Sequence, residues 1–127
     1  DLMLGPDQVA VVTPDTHMDQ AILKMTEKNV GAVVVIDSVN ILRGIITDGD
    51  LKRHMARDLL TKRVDQVMSS APQTIAPDLF AVEAVNRMLK RPGGNVITML
   101  VVADETPDGR AFRGLIRVQE CLKAGLI

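Results

Sequence analysis

At 127 residues the chain is long enough for one compact domain or for two closely packed halves. Its formal net charge of −1 and its two Phe residues, with no Trp or Tyr, argue against nucleic-acid binding, which needs basic patches and aromatic stacking surfaces. The single cysteine, Cys121, permits no internal disulfide, and no run reaches the roughly 18 apolar residues that span a membrane, so we predict a cytoplasmic protein without a membrane partner.

The first predicted elements are a short strand and an amphipathic helix. Gln8 to Val12 is an apolar run ended by Thr13-Pro14, and either Asp15 or Thr16 can cap the helix that follows. Apolar side chains then recur at the spacing of one helix face, which we expect to lie against the core. These residues are Met18, Ala21, Ile22 and Met25.

Two strands and a second helix complete the first half. Ala32 to Ile36 is a continuous run of small and β-branched residues, which is typical of a strand buried on both faces. A polar turn separates it from a second strand, Ile41 to Thr47, and Asp48 opens the next helix. The apolar residues expected on one face of this helix are Leu51, Met55 and Leu59.

The second half repeats this order after a connector at residues 61–72. Val64, Val67 and Met68 are expected to anchor the connector to the core. In the second-half helix an apolar stripe runs from Ala81 to Leu89 and is ended by Pro92-Gly93-Gly94. The other predicted elements are strands at 73–75, 96–103 and 111–116, a longer turn at 104–109, and a helix at 118–123.

The chain contains an internal repeat. Val12-Thr13-Pro14-Asp15 returns in the second half as Ile75-Ala76-Pro77-Asp78, and Gly44-Ile45-Ile46 returns as Gly114-Leu115-Ile116. The second pair of motifs is separated more widely than the first, which predicts a seven-residue insertion in the second copy. We therefore predict a mixed α/β (α+β) fold of two pseudo-symmetric β-α-β-β-α repeats, residues 1–62 and 63–127. A crevice between two such halves suits a small ligand.

Thr47-Asp48-Gly49-Asp50 is the segment best suited to ligand binding. It lies where a buried strand gives way to a helix N-terminus, whose N–H groups and positive dipole end favour a phosphate. Thr47 supplies a hydroxyl, Gly49 permits close approach to the backbone, and the Asp50 carboxylate can accept hydrogen bonds from a sugar diol. The alternative is structural: Asp48 caps the helix and Gly49 lies in its first turn.

Cationic side chains near this segment can complete a phosphate site. Lys52 and Arg53 lie in the first turns of the helix, although they also fit a solvated helix face. When the repeated Gly-hydrophobic-hydrophobic motifs are aligned, Arg117 and Glu120 stand where the first copy has its threonine and its second aspartate. Arg117 is a candidate partner for phosphate or carboxylate, but the longer Glu120 side chain is a poorer match for a diol. At most one well-formed nucleotide-type site is expected.

The sequence shows no pattern of catalysis or of metal binding. His17 and His54 lie far apart, and neither has the spacing of a zinc site. Nucleophile elbows, Walker loops and catalytic carboxylate pairs are missing from the sequence. Cys121 lies in an apolar helix, where it is most simply a small core residue. The chain itself is predicted not to be an enzyme and to require neither a metal nor a cofactor.

The repeated segments resemble a known family. Val12-Thr13-Pro14-Asp15, Gly31 to Asp37 and Gly44 to Leu51 resemble a tandem pair of cystathionine-β-synthase (CBS) domains, also called a Bateman module. The most specific family motif, Gly-hydrophobic-hydrophobic-Thr-x-x-Asp-Leu, is complete only in the first copy. The resemblance implies regulation, because such pairs commonly bind adenosine nucleotides or related ligands between their copies and signal to an attached enzyme or channel.

The family resemblance also implies roles for individual residues. Thr47 would contact phosphate or ribose, and Asp50 would contact the ribose hydroxyls. The residues whose backbone groups would line the base are Thr13, Gly31, Ala32 and Val33.

Finer details resemble one branch of the family. Thr47 to His54, Val67-Met68-Ser69, Pro72 to Ile75 and Cys121 to Gly125 are similar to the C-terminal part of bacterial arabinose-5-phosphate isomerases. In those enzymes a sugar isomerase domain precedes a CBS pair and feeds Kdo synthesis for surface polysaccharide.

This second resemblance implies partners for the chain. We expect an attached sugar isomerase domain, a homodimer within a parent that can be a tetramer, and a nucleotide-type effector. An adenosine or cytidine nucleotide or a nucleotide-sugar is the expected effector. Two alternatives stay open: a structural dimerisation module with a vestigial pocket, and the CBS pair of a sugar nucleotidyltransferase or a transporter.

Overall fold

The strands form two sheets of the same topology in a computed structural model that describes residues 2–78, 83–84, 86–87 and 98–125. In the first sheet β1 (Ala10–Val12) runs parallel to β2 (Ala32–Ile36), and β2 pairs antiparallel with β3 (Leu42–Thr47). The second sheet repeats this order. Its strands are β4 (Thr74–Ile75), β5 (Met99–Thr106) and β6 (Gly109–Arg117).

Helices connect and follow these strands. The described part of the chain has α1 (Met18–Lys28), α2 (Asp48–Arg53) and α3 (Val118–Lys123). Residues 83–84 and 86–87 are also helical, whereas most of the predicted stripe from Ala81 to Leu89 and its Pro92-Gly93-Gly94 end lie outside the described residues. The predicted mixed α/β fold of two repeats is confirmed. In the described ranges we find no helix with the length and apolar character needed to cross a lipid bilayer.

The first helix starts later than predicted. Its N-cap is His17, whereas Asp15 and Thr16 belong to a turn that precedes the helix. In that turn the Thr13 hydroxyl donates to Asp15 Oδ1 at 2.6 Å, and the Thr13 N–H donates to Thr16 Oγ1 at 3.3 Å. Because both candidate caps already bind Thr13, neither caps α1.

The helix α2 is shorter than predicted. It ends at Arg53, and Met55 is 68% exposed, so the predicted apolar face of Leu51, Met55 and Leu59 does not form. Leu59 is buried, but it reaches the core from a separate 3-10 turn (Leu59–Thr61) that packs against α1. The regular spacing of these three apolar residues therefore does not mark one long helix. It spans a short helix and a separate turn.

The prediction of a longer turn at residues 104–109 is wrong, because most of these residues belong to strands. The pairing of β5 with β6 continues to Thr106 and Gly109, so that only Pro107 and Asp108 connect the strands. The Thr106 hydroxyl donates to the Gly109 carbonyl oxygen at 2.7 Å and closes this tight turn. The polar residues are the exposed end of a hairpin and not a loop.

The register of the strands divides the seven-residue insertion into two parts. Ala32 pairs with Thr47 at the base of the first hairpin, and Met99 pairs with Arg117 at the base of the second. Ala32 is therefore the equivalent of Met99, and Thr47 is the equivalent of Arg117. With these equivalences, four of the inserted residues precede β5, and three lengthen the second hairpin.

The two sheets face each other, and helices cover their outer sides. As predicted, β2 is buried on both faces: Val33 and Val35 pack towards α1, whereas Ala32 and Val34 pack towards the second sheet. Between the sheets a mixed cluster joins residues from both halves. The second-half members of this cluster are Val101, Phe112 and Leu115. The halves therefore share this cluster and are not independent units.

Each half also sends a segment across to the other sheet. Leu4, which precedes β1, exchanges two backbone hydrogen bonds with Leu115 of β6, at 2.8 and 2.9 Å. Ser69, which precedes β4, is the equivalent of Leu4 in the second half. It exchanges two backbone hydrogen bonds with Ile45 of β3, at 2.9 and 3.0 Å. The connector before Ser69 is anchored by the buried Val64 and Val67, as predicted.

The repeated glycines lie where these segments cross. A Cβ atom added to Gly44 would lie 2.7 Å from the Ser69 carbonyl oxygen, and one added to Gly114 would lie 2.5 Å from the Leu4 carbonyl oxygen. Both distances are too short for a carbon atom beside a fixed backbone. The repeated Gly-hydrophobic-hydrophobic motif is thus explained by the close approach of the crossing segments.

Candidate functional site

A pocket of about 290 Å³ lies in the gap between the two halves. Its volume is at the small end of the range for small-molecule sites, about 300–1,000 Å³. One wall is formed where β3 passes into α2, and the other by the start of β5 and the segment before β4. The polar and glycine residues that line it are Gly31, Thr47, Asp48, Gly49, Gln73 and Thr98. The apolar residues are Ile45, Pro72, Met99 and Val101.

Four of the site residues predicted from the sequence line this pocket. Thr47, Asp48 and Gly49 follow one another around the junction of β3 and α2. Gly31 lies beside them at the start of β2 with a φ of 85°, and a Cβ atom there would lie 3.6 Å from Met99 Cε. Glycine at this position therefore relieves backbone strain and leaves space between the two walls.

The other predicted residues lie elsewhere. Thr13 is exposed and held in its turn by Asp15, and Ala32 and Val33 are buried within the sheet, at 0% and 1% exposure. Lys52 has an exposed side chain and is not among the described residues that line the pocket. Of those lining residues only Asp48 carries a charge, so the pocket wall is acidic.

The carboxylate of Asp50 lies behind the pocket wall. Asp50 is only 3% exposed. Its Oδ2 atom accepts hydrogen bonds from the N–H and the hydroxyl of Thr47, at 2.9 and 3.2 Å. Its Oδ1 atom accepts a bond of 2.7 Å from the Ser69 hydroxyl and forms an ion pair with Arg53. Both oxygens are thus bound to protein donors, which fix Thr47 and the start of α2.

These contacts set the charge state of Asp50. Burial acts to raise the pKa of its carboxyl, but hydrogen bonds from Ser69, Thr47 and Arg53 outweigh burial and hold this pKa below the ordinary value of 3.8. The carboxylate is therefore ionised at neutral pH and forms an ion pair with Arg53, whose side chain is 64% exposed and is not among the described residues that line the pocket.

The second copy has a different arrangement at the equivalent place. Arg117 Nε and Nη2 donate to the two carboxylate oxygens of Glu120, each at 2.7 Å. Its remaining terminal nitrogen, Nη1, donates to the Val30 carbonyl oxygen of the first half at 3.1 Å. The hydrogen bonds with Glu120 raise the pKa of Arg117 and lower that of Glu120, so both stay charged. Each of the three guanidinium nitrogens of Arg117 thus donates to a protein acceptor.

Comparison with protein-family models decides the family, because the CBS domain model matches twice, at residues 6–57 and 64–126. The chain is a tandem pair of CBS domains. The resemblance predicted from the repeated motifs is confirmed.

Among curated proteins the CBS pair is similar to arabinose 5-phosphate isomerases. It is 33% identical over 129 residues to arabinose 5-phosphate isomerase KdsD of Yersinia pestis, and the alignment covers 100% of this chain and 37% of that protein. KdsD of Escherichia coli strain K12 gives the same identity and coverage. The CBS pair thus spans little more than a third of the length of these relatives.

Solved structures with the same fold are also CBS proteins. A CBS domain-containing protein from Bacillus anthracis has a TM-score of 0.77 at 21% identity, with 98% of this chain and 88% of that chain covered. CBSX2, a CBS-pair protein of Arabidopsis thaliana, was solved in complex with AMP and has a TM-score of 0.74 at 26% identity. In that case 99% of this chain and 93% of the other are covered.

Sequence reasoning missed the wall that the second half supplies. Thr98 and Met99 carry no local motif, and Gln73 belongs to a segment, Pro72 to Ile75, that resembles the isomerases but predicts no site residue. All three face the first half because the two sheets pack together. The repeat contains one usable signal: Thr98 directly precedes β5, just as Gly31 directly precedes β2, so the two positions are equivalent. In a CBS pair the equivalent of a lining residue is a natural candidate for the opposite wall.

Proposed function

We propose that this CBS pair is a regulatory module that binds a nucleotide or a nucleotide-sugar between its halves and adjusts the activity of an attached sugar-phosphate isomerase. The observation that supports this most directly is the pocket in which Thr47 and Asp48 face Gln73 and Thr98 of the other half. A ligand there contacts both halves, so its binding can change how they are held together. For the activity of the isomerase to change, the ligand must bind one state of the parent protein more tightly than another.

The chemistry of the lining suits a nucleoside moiety. Pro72 and Met99, which are half-buried, supply apolar surface for the face of a base, and Gln73 can pair with its polar edge. The Asp48 carboxylate is exposed at the junction and can accept hydrogen bonds from sugar hydroxyls, a role that Asp50 fills only by leaving its protein donors. Adenosine and cytidine nucleotides and nucleotide-sugars are the ligands to test, since CBSX2 was solved with AMP.

Blocking the pocket should abolish binding of the effector. Thr98→Trp places an indole in the pocket and is expected to lower the affinity for AMP or CMP more than tenfold, or by about 1.4 kcal/mol or more. Thr26→Trp is the matched control, because Thr26 is exposed on α1 and lies outside the pocket lining, and the affinity of this variant should equal that of the wild type. Isothermal titration calorimetry measures both. A wild type that binds neither these nucleotides nor a nucleotide-sugar would remove the proposal.

The bound ligand can also be identified directly. Because the chain has no Trp or Tyr, the ultraviolet absorbance of a bound base stands out against that of the protein. Any nucleotide that copurifies with the wild type should be missing from Thr98→Trp, when the absorbance is measured on the supernatant after heat precipitation so that the introduced indole does not contribute.

The regulatory part of the proposal concerns the parent protein. The likeness to KdsD supports an attached isomerase domain, and by the same resemblance we place the parent in Kdo synthesis in the cytoplasm. In the full-length protein the effector should change the rate of arabinose 5-phosphate isomerisation, and Thr98→Trp should remove the response but keep the basal rate. A rate that is unaffected by a bound effector would contradict the regulatory role.

Self-association is the second candidate function. Leu23 of α1 and Leu60 of the adjoining 3-10 turn are 58% and 53% exposed, which supports a homodimer that covers them. Light scattering of Leu23→Glu with Leu60→Glu measures this. A purely structural module would lose its assembly in this variant without any response to nucleotides in the wild type.

A further inference from the structure

Arg117 occupies the place in the second half that Thr47 occupies in the first. Thr47 pairs with Ala32 at the base of the first hairpin, and Arg117 pairs with Met99 at the base of the second. Each is the N-cap of a six-residue helix, and each has an acidic partner three residues later, Asp50 or Glu120. The internal symmetry therefore predicts a second gap between the halves, equivalent to the pocket, and different side chains border the two places.

In the second gap the side chain reaches across to the other half. The Arg117 guanidinium is held by both oxygens of Glu120 and also donates to the Val30 carbonyl oxygen, which belongs to the lead-in of β2. Thr47 is too short for the equivalent contact, and the first gap is an open pocket. The side chains of Arg117 and Glu120 are only 15% and 16% exposed. Arg117 thus ties the two halves together where the first gap leaves a space.

By the same symmetry, a ligand in the second gap would have to displace this contact. Displacing the guanidinium would leave the Val30 carbonyl and the Glu120 carboxylate without their donor in a largely buried place, which is costly. We propose that Arg117 closes the second gap and thereby limits the CBS pair to one nucleotide per chain, an inference that rests on the function proposed above.

Exchanging the side chains tests this assignment. The variant Arg117→Thr with Glu120→Asp gives the second gap the pair that borders the first, and it should raise the number of AMP molecules bound per chain from one to two. Arg113→Thr is the matched control, because Arg113 lies on the same strand and forms an ion pair with Asp104 at the exposed surface. This control should still bind one. Calorimetric stoichiometry with AMP measures all three proteins, and thermal melting shows that each is folded.

The outcomes separate this inference from the proposed function. A wild type that binds no AMP, beside a double variant that binds one, would overturn the proposed pocket but leave Arg117 as the group that closes the second gap. Equal stoichiometry in the wild type and the double variant would overturn the role of Arg117 whatever the common value. Should the double variant fail to fold, Arg117→Gln, which shortens the side chain and removes its charge, replaces it with the same expected increase.

Discussion

Replacing Asp50 with alanine is expected to destabilise the CBS pair by about 2–4 kcal/mol in its free energy of unfolding. The substitution leaves Thr47, Ser69 and Arg53 without the carboxylate that accepts their hydrogen bonds. Ser69 belongs to the segment that crosses onto β3, so the loss also loosens a contact between the two halves. Urea denaturation of the wild type and the variant measures the difference.

Asp48→Ala is the matched control for this substitution. Asp48 starts the same helix but is exposed, and its loss should change the stability by no more than about 0.5 kcal/mol. Because Asp48 lines the pocket, the control should instead weaken nucleotide binding. If both variants lost the same stability, the hydrogen bonds to Asp50 would not have the structural role assigned to them.

The lowered pKa of Asp50 predicts a specific acid sensitivity. Because hydrogen bonds hold the pKa of the folded carboxyl below 3.8, the folded protein binds this proton less tightly than the unfolded chain. The stabilisation is therefore complete above pH 3.8 and is lost as the pH falls towards the lower pKa of the folded state. Asp50→Asn should show a shallower loss of stability than the wild type in this range, measured by denaturation as a function of pH. Parallel curves would contradict the prediction.

The strands of the first half could be predicted because their signals are local. The run from Ala32 to Ile36 gives the bounds of β2 correctly, since a strand covered on both sides needs apolar residues at every position. The end of the second hairpin could not be read in this way. Asp104 to Gly109 has the composition of a loop, but cross-strand pairing with β6 keeps the chain extended as far as Thr106.

The candidate site was predictable only on one side. Thr47, Asp48 and Gly49 lie at a strand-helix junction that the sequence reveals, whereas Thr98 and Gln73 depend on how the two sheets pack. The same limit applies to Asp50. Its residue type indicates an acceptor, but the donor Ser69 is 19 residues away and arrives through the crossing segment. Tertiary contacts therefore decide which of the two aspartates lines the pocket.

Gly44→Ala and Gly114→Ala are each expected to destabilise the protein by about 1–3 kcal/mol, the usual cost of overpacking. The added methyl groups would lie 2.7 Å from the Ser69 carbonyl oxygen and 2.5 Å from the Leu4 carbonyl oxygen. Neither carbonyl can retreat without breaking the backbone hydrogen bonds that hold its segment on the opposite sheet. Thermal and urea denaturation of the two variants measure the loss.

Gly49→Ala is the matched control for these two glycines. A Cβ atom at Gly49 would lie 3.3 Å from the end of the Arg53 side chain and 3.7 Å from Thr47 Oγ1, and no backbone atom is among these neighbours. Gly49 also lies in a helix, where alanine is favoured over glycine by up to about 1 kcal/mol. This variant should be as stable as the wild type or more stable. Because Gly44 adjoins Ile45 in the pocket wall, Gly44→Ala should also weaken AMP binding, whereas Gly114→Ala should affect mainly stability. If all three substitutions were equally harmless, the crossing segments would not be held against the sheets in solution, and the pocket would lose the contact that keeps its two walls together.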